Sequence, residues 1–436
     1  MNLAYKFPII YWNCACLIVN SGGSDLSDDE YIDDDESTST DYTKIAKALG
    51  DTIMAGIKVS LVDINKSDFG FKPDVENNQI LFGMKALLNV NDDVVKDIIA
   101  KRPYASIKDF YYKVKPKKQA MISLIKSGAF DNMMERKLAM AWYIWETCDK
   151  KSRITLQNMP GLIRYQLLPE DTEDKIMARR IYEFNRYLKT NCKDGDIYHI
   201  DERANDFLIE IGCENLIANN IVNAKQWDKV YQTWMDVFRS WIAEDKETIL
   251  NNLNSLIFKQ DWDKYATGNY SSWEMEAMCF YYHDHELKNI DYKKYGLSNF
   301  FNLPSIPVVE RSFTKAGKVI NIFKLTRICG TCIAKNKAKG TVSLLTPEGV
   351  VNVRFAKEMF AMFDKQLSEL QEDGTKKITE RSWFNRGQMI MVTGMRSGDD
   401  FVVKKYAATP GHRLYHIDEI INGTDLKLST ERYGTE

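Results

Sequence analysis

The sequence predicts a multidomain, mainly α-helical protein with a C-terminal β-barrel. Three observations carry that prediction. At 436 residues the chain is too long for one ordinary domain and suits roughly three. Apolar residues recur at helical spacing between residues 79 and 265, and from Val308 the period changes to two. Hydrophobic residues make up 44% and aromatic residues 12%, which supports packed cores and excludes general disorder.

The net charge of −2 hides a segregation. Residues 83–126 hold ten Lys and Arg against four acids, and residues 311–413 hold nineteen against nine, so the rest of the chain is strongly acidic. Two basic blocks inside an acidic chain point to a polyanion partner for those blocks. The eight cysteines are scattered, as in a cytosolic protein with reduced, buried thiols. Cys329 and Cys332 form the one CxxC pair, but on a strand that offset puts them on opposite faces, so no zinc site is assigned.

In chain order, residues 1–23 are read as a buried helix. Phe7–Val19 is apolar but too short to span a membrane and is interrupted by Pro8 and Asn13, so a cytoplasmic location is expected. Residues 24–43 form an acidic linker. Asp33, Asp34 and Asp35 belong to it and have no apolar neighbours to hold them as a metal site. Residues 44–131 hold the first basic block, with a helix at Tyr42–Ala55 and a strand-like run from Gly56 to Leu61.

Within that block, Gly83–Asn91 followed by a helix to Ala100 has the layout of a helix-hairpin-helix, in which hairpin amides and a helix start face a phosphate. Asn89 and Asn91 stand where glycines with positive φ are usual. Asp92 and Asp93 at the next helix start repel phosphate, so this hairpin is expected to serve structure more than binding. A second unit at Lys115-Pro-Lys-Lys118, leading into Ala120–Lys126 and Gly128, keeps its cations and is the preferred phosphate contact. The candidate DNA-binding residues here are Lys85, Asn89, Asn91, Lys115, Lys117, Lys118 and Lys126.

Residues 132–270 form a helical domain of unassigned role, with Trp227, Tyr231, Trp234, Phe238 and Trp241 as core. Asp194 and Asp196 flank a glycine and are read as a loop without flanking strands. Residues 271–319 are a connector. Residues 320–413 fit a five-stranded barrel of OB type, with strands at Phe323–Ala334, Thr341–Leu345, Val350–Phe355, Met389–Met395 and Phe401–Lys405 and a helix from about Lys357 to Leu370. Lys335, Lys337 and Lys339 lie on its first loop and Arg396 begins its last. Arg354 faces groove or solvent depending on register, and Lys404 completes the set. Trp383 and Phe384 either stack on bases or pack the helix exit. Residues 414–436 are read as a tail.

Ala4-Tyr5 through Leu17 resembles the end of the fingers of bacterial DNA polymerase III alpha subunits, the C-family replicative polymerases. Ile45-Ala46-Lys47, Gly56-Ile-Lys-Val and Asp63-Ile-Asn-Lys-Ser are similar to the segment leading into that family's tandem helix-hairpin-helix domain. Leu124-Ile-Lys-Ser-Gly-Ala-Phe-Asp131 resembles its closing motif. Trp273 through Leu287 resembles the segment before its oligonucleotide-binding domain, with Asp284 and Glu286 as departures. The likeness covers about 300 residues in the family's order.

The resemblance implies a portion that holds double-stranded and single-stranded DNA. It implies a partner chain bearing the palm and the rest of the fingers, and Mg2+ held by palm carboxylates that this chain lacks. It also implies a sliding clamp, for which Gln366–Leu370 is the nearest string, although it falls in the expected helix. A split replication gene suits a bacterial cell and a bacteriophage genome. The alternative is a non-enzymatic single-stranded-DNA-binding or adaptor protein of a replication complex. A ligase is discounted, because its barrel precedes its hairpins and no Lys-x-Asp-Gly motif is present.

Overall fold

An uncharged run after Pro8 winds into α1 (Ile9–Asn20) in a computed structural model that describes residues 8–21, 41–168, 173–315, 317–370, 376–407 and 411–430. Ile10, Cys14 and Leu17 recur at helical spacing and are buried. Ile9, Tyr11, Trp12 and Val19 are exposed, so the helix expected to be buried is covered on one side only. The acidic run from 22 to 40, with Asp33, Asp34 and Asp35, lies outside the described residues. At its end Asp41 accepts from the amides of Thr43 and Lys44, both at 3.1 Å, and caps α2 (Tyr42–Met54).

The chain divides into two compact units, residues 1–140 with 268–436 and residues 141–267. In the first, a small sheet of β1 (Lys58–Ser60), β2 (Lys72–Asp74) and β3 (Gln79–Leu81) has β3 in the middle. Helices α3 (Asp92–Ala100), α4 (Ile107–Val114) and α5 (Lys118–Lys126) follow. The spacing of Val95 and Ile98, Ile107 and Phe110, and Met121, Leu124 and Ile125 puts each apolar row on the buried side. Phe110 meets Tyr104 and Phe130 edge-on, each at 5.0 Å, an arrangement that adds about 0.5–1.5 kcal/mol per pair beyond burial. Arg102 serves structure. Its Nε donates to the Ile64 carbonyl at 2.7 Å and its Nη2 to that of Ser67.

After α6 (Arg136–Thr147), the second unit holds α7 (Met159–Arg164), α8 (Glu173–Tyr187), β4 (Lys193–Asp194), β5 (Ile197–His199), α9 (Glu202–Glu210), β6 (Ile217–Ala218), β7 (Ile221–Asn223), α10 (Ala224–Glu244) and α11 (Lys246–Tyr265). Trp227, Tyr231, Phe238 and Trp241 are buried against Ala178, Ile181 and Phe184 of α8, while Trp234 is partly covered. The Trp227 indole donates to Asn185 Oδ1 at 3.0 Å, satisfying a buried donor. Two expectations need correction. This unit also contains a four-stranded sheet, and Gly195–Asp196 is the turn of its β4–β5 hairpin, flanked by strands after all, with Asp194 in β4. The strands are two or three residues long, too short for a period to register.

The first unit resumes with α12 (Tyr270–Met278), α13 (Tyr292–Tyr295) and a hairpin of β8 (Val309–Lys315) and β9 (Lys318–Phe323). The barrel is β10 (Thr326–Asn336), β11 (Thr341–Thr346), β12 (Gly349–Arg354), α14 (Lys357–Asp364), then, past the small hairpin β13 (Leu367–Leu370) and β14 (Lys376–Glu380), β15 (Met389–Ser397) and β16 (Asp400–Val403). β12 and β16 pair in parallel, and β10 pairs with both β11 and β15, which closes five strands into the OB-type barrel. Gly394 allows that closure, because a Cβ there would stand 2.1 Å from the Val402 carbonyl oxygen.

Two barrel boundaries differ from expectation. The helix stops at Asp364, whose carboxylate is held by Lys335 and Ser382, and Leu367–Leu370 is a strand, so the clamp-like string is not helical. Residues 414–436 were expected as a tail, but β17 (Leu414–Ile421) pairs with β15, and β18 (Asp425–Ser429) pairs with β17. Leu414, Tyr415 and Ile417 are buried there. Cys332 lies in the barrel core and Cys329 in a second core with Leu287, Met391 and Ile417, and burial pushes the Cys329 thiol up to about 12.

Candidate nucleic-acid interface

The first hairpin turns through a 3-10 segment at Met84–Ala86 and reverses at Asn89, whose φ of 62° is left-handed as expected. Asn91 is not. With φ −84° it is the N-cap of α3, and its side chain accepts from the Val94 amide at 3.3 Å. An Asn immediately before two acids at a helix start suits capping better than a second reversal. Lys85 pairs with Asp92 and lies 5.8 Å from the centre of the Phe69 ring. Asn89 Nδ2 donates to Ser123 Oγ at 3.3 Å, and the Leu88 amide donates to the Ala277 carbonyl at 2.8 Å. This turn is tied on three sides to its own protein.

The second turn is open. Lys115 caps α4 with φ 51°, its amide bonded to the Tyr111 carbonyl at 2.9 Å, and Pro116 is buried behind it. Lys117 precedes α5, no side chain caps that helix, and no acid lies in its first turn. Lys115 and Lys117 are exposed with no ion partner among the described residues, and Lys118 is half-buried. Lys85, Asn89, Asn91 and Asp92 of the first turn share a cavity of about 520 Å³ with Lys117 and Ala120 of the second.

Lys126 is corrected. It is buried, pairs with Glu276, and lies 5.9 Å from the centre of the Trp273 ring, so it faces α12 rather than solvent. Beside it is a network the sequence did not disclose. Arg136 is 2% exposed and binds Asp131 at 2.7 Å and Glu274 at 3.0 Å. Glu274 is fully buried and also accepts from His283 Nδ1 at 2.6 Å and from the amides of Tyr282 and His283, both at 2.9 Å. Burial works against the Arg136 charge, but its bonds to Asp131 and Glu274 outweigh that and raise its pKa. Gly128, with φ 80°, is needed here, because a Cβ would meet Arg136 Nη2 at 2.6 Å. The available signal was a pair of acids, Glu274 and Glu276, alternating with the apolar residues of Trp273–Met278.

On the barrel, Lys335 and Lys337 both reach Asp364, Lys337 at 3.4 Å. Burial opposes the Asp364 carboxylate, yet hydrogen bonds from Lys335 and Ser382 prevail and lower its pKa. Lys339 is exposed. Lys335, Lys337 and Asp364 line a cavity of about 720 Å³ with Lys357 and Lys365, two lysines the sequence reading missed although they bracket α14. Arg354 is exposed and pairs with Asp400. Arg396 is corrected: its Nη1 donates to the carbonyls of Phe300, Phe301 and Leu303 at 3.3, 3.2 and 2.9 Å, fastening the connector to the barrel. Lys404 lies over Phe323 and Tyr406 at 5.4 and 5.3 Å. Trp383 and Phe384 are buried in the barrel core, which settles them as packing.

Among the described residues no three His, Cys, Asp or Glu side chains are grouped to hold a metal ion. No helix among them is long and apolar enough to cross a membrane.

Residues 56–139 match the helix-hairpin-helix motif family. The chain is 35% identical over 448 aligned residues to a probable DNA polymerase, YorL, of Bacillus subtilis, and equally to a DNA-directed DNA polymerase of Bacillus phage SPbeta. Each match covers 99% of this chain and 34% of the relative. A shorter match, 34% identical over 108 residues, joins 23% of this chain to 9% of the DNA polymerase III alpha subunit of Thermus aquaticus. The chain spans about a third of the length of the curated Bacillus and phage relatives it matches, and along nearly all of its own length it is homologous to these DNA polymerases.

Proposed function

We propose that this chain is the DNA-holding, C-terminal portion of a replicative DNA polymerase of the polymerase III alpha kind. The helix-hairpin-helix region holds duplex, the barrel manages single-stranded template, and a palm outside these residues performs synthesis. The observation that carries this reading is the second hairpin, where exposed Lys115 and Lys117 stand at an uncapped helix start within the segment matching a helix-hairpin-helix motif. Homology to DNA polymerases along nearly the whole chain supports it. The exposed Ile9, Tyr11, Trp12 and Val19 of α1 suit a helix covered by the palm-bearing part of the polymerase.

The chemistry implied is nucleotidyl transfer from deoxynucleoside triphosphates on palm-bound metal ions. The residues of this chain contribute grip on the primer–template. Primer extension tests the reading: no synthesis is expected from this chain alone, and synthesis once a palm-bearing chain is added. Extension by the isolated chain would overturn it. Tight DNA binding with no gain in synthesis on mixing would favour the adaptor alternative.

A further inference from the structure

Between the connector and the barrel, β8 and β9 pair only with each other among the described residues. Their root is fixed. The Phe323 amide donates to Tyr406 Oη at 3.0 Å, the Lys324 amide donates to the Val308 carbonyl at 2.8 Å, and Lys404 lies over the Phe323 ring. Beyond that root every residue of β8 is exposed, Phe313 at 45%, and so are Lys318–Asn321 of β9, Val319 at 70%.

The register sets Phe313 opposite Ile320 and Lys315 opposite Lys318. Alternation along β8 places Arg311 on that same face. Residues 309–324 hold Arg311, Lys315, Lys318 and Lys324 with a single acid, Glu310, and none of the four cations has an ion partner among the described residues.

We infer that this ribbon is an arm that lies in a groove of double-stranded DNA, an inference that rests on the DNA-holding reading above. A seven-residue strand reaches roughly 23 Å, and the major groove, about 12 Å wide, admits a two-stranded ribbon. Its cations then meet the phosphates on either side, while Phe313 and Ile320 face the apolar edges of bases, thymine methyls among them. A single strand would call for several aromatic platforms, and Phe313 is the one exposed aromatic on the arm.

The test uses the full chain with a labelled duplex and its single strand over a salt series. The Arg311→Glu, Lys315→Glu, Lys318→Glu triple variant should lose roughly tenfold or more in duplex affinity and about three units of salt slope, with single-strand affinity nearly unchanged. Ser312→Ala should behave as the unsubstituted chain, and a Lys318→Cys photo-crosslinker should label duplex. A triple variant that melts normally and binds duplex as before overturns the inference, as does an equal loss on single strands or capture of protein in place of DNA. If Lys115→Ala with Lys117→Ala weakens duplex binding while the triple variant does not, the arm is refuted and the DNA-holding reading stands. If the unsubstituted chain binds no DNA, both fall.

Discussion

The two hairpins of the first basic block share a backbone plan, a left-handed residue before a helix start, and differ in what they do with charge. At the first, Asn89 reverses the chain, Asn91 caps the helix, and Lys85 is spent on Asp92. At the second, Lys115 reverses the chain, nothing caps the helix, and Lys115 and Lys117 point to solvent. The first turn has one cation, Lys85, beside Asp92 and Asp93, and the second has Lys115, Lys117 and Lys118 with no acid. The partners of the cations separate them: inward polar groups hold the fold, and outward ones are left for a polyanion.

That division can be broken most severely at Arg136. Arg136→Ala leaves Glu274 buried without its cation and should lower stability by about 3–5 kcal/mol in denaturant unfolding. A loss under about 1 kcal/mol would remove the network from the inward class.

His285 is an inward group with a pH signature. Its Nε2–H donates to the Leu345 carbonyl at 2.9 Å, its Nδ1 accepts from the Leu287 amide at 3.0 Å, and burial lowers its pKa from 6.5 to about 4. Between those values the unfolded chain binds the proton and the folded chain does not, so stability falls as pH drops from 6.5 toward 4, by up to about 3 kcal/mol. Neighbouring Glu286, raised by burial, acts in the opposite sense, so the measurement is a difference. The stability gap between the unsubstituted chain and His285→Gln should narrow on acidification, and a gap constant with pH would refute the assignment.

The outward class is sharpened by Lys115→Ala with Lys117→Ala. Duplex affinity should fall roughly tenfold and the salt slope by about two units, with unfolding midpoints unchanged. At the first hairpin Asn89→Ala should cost about 1 kcal/mol through its positive φ, whereas Asn89→Gly should cost less, as thermal melting would register. The smallest effect is expected at Lys126→Met: a salt slope for DNA equal to that of the unsubstituted chain. A drop of about one unit would return Lys126 to the outward set.

Much of the fold was legible because it is written locally. Period two and a lysine-rich turn marked β10, β11 and β12, and apolar rows marked α4 and α5. What escaped depends on distant partners. Glu276 is 150 residues from Lys126, and the carbonyls that hold Arg396 are more than 90 residues before it, so both cations read as free. β17 and β18 were missed because their place depends on β15 having an open edge, which no local pattern states. The open second hairpin was legible because its character rests on the absence of nearby acids, a property of neighbouring residues alone.

The first unit is discontinuous in sequence, residues 1–140 being completed by 268–436. A ribosome working from the N-terminus therefore releases Lys126 and Arg136 long before it has made Glu276 and Glu274, with all of 141–267 synthesised in between. The contiguous unit has every one of its own contacts available first, and the discontinuous one must wait for its closing acids. Order of assembly during translation is thus set by where the chain was interrupted, and a nascent chain paused before Gly268 holds a cationic module still missing two of its counter-charges.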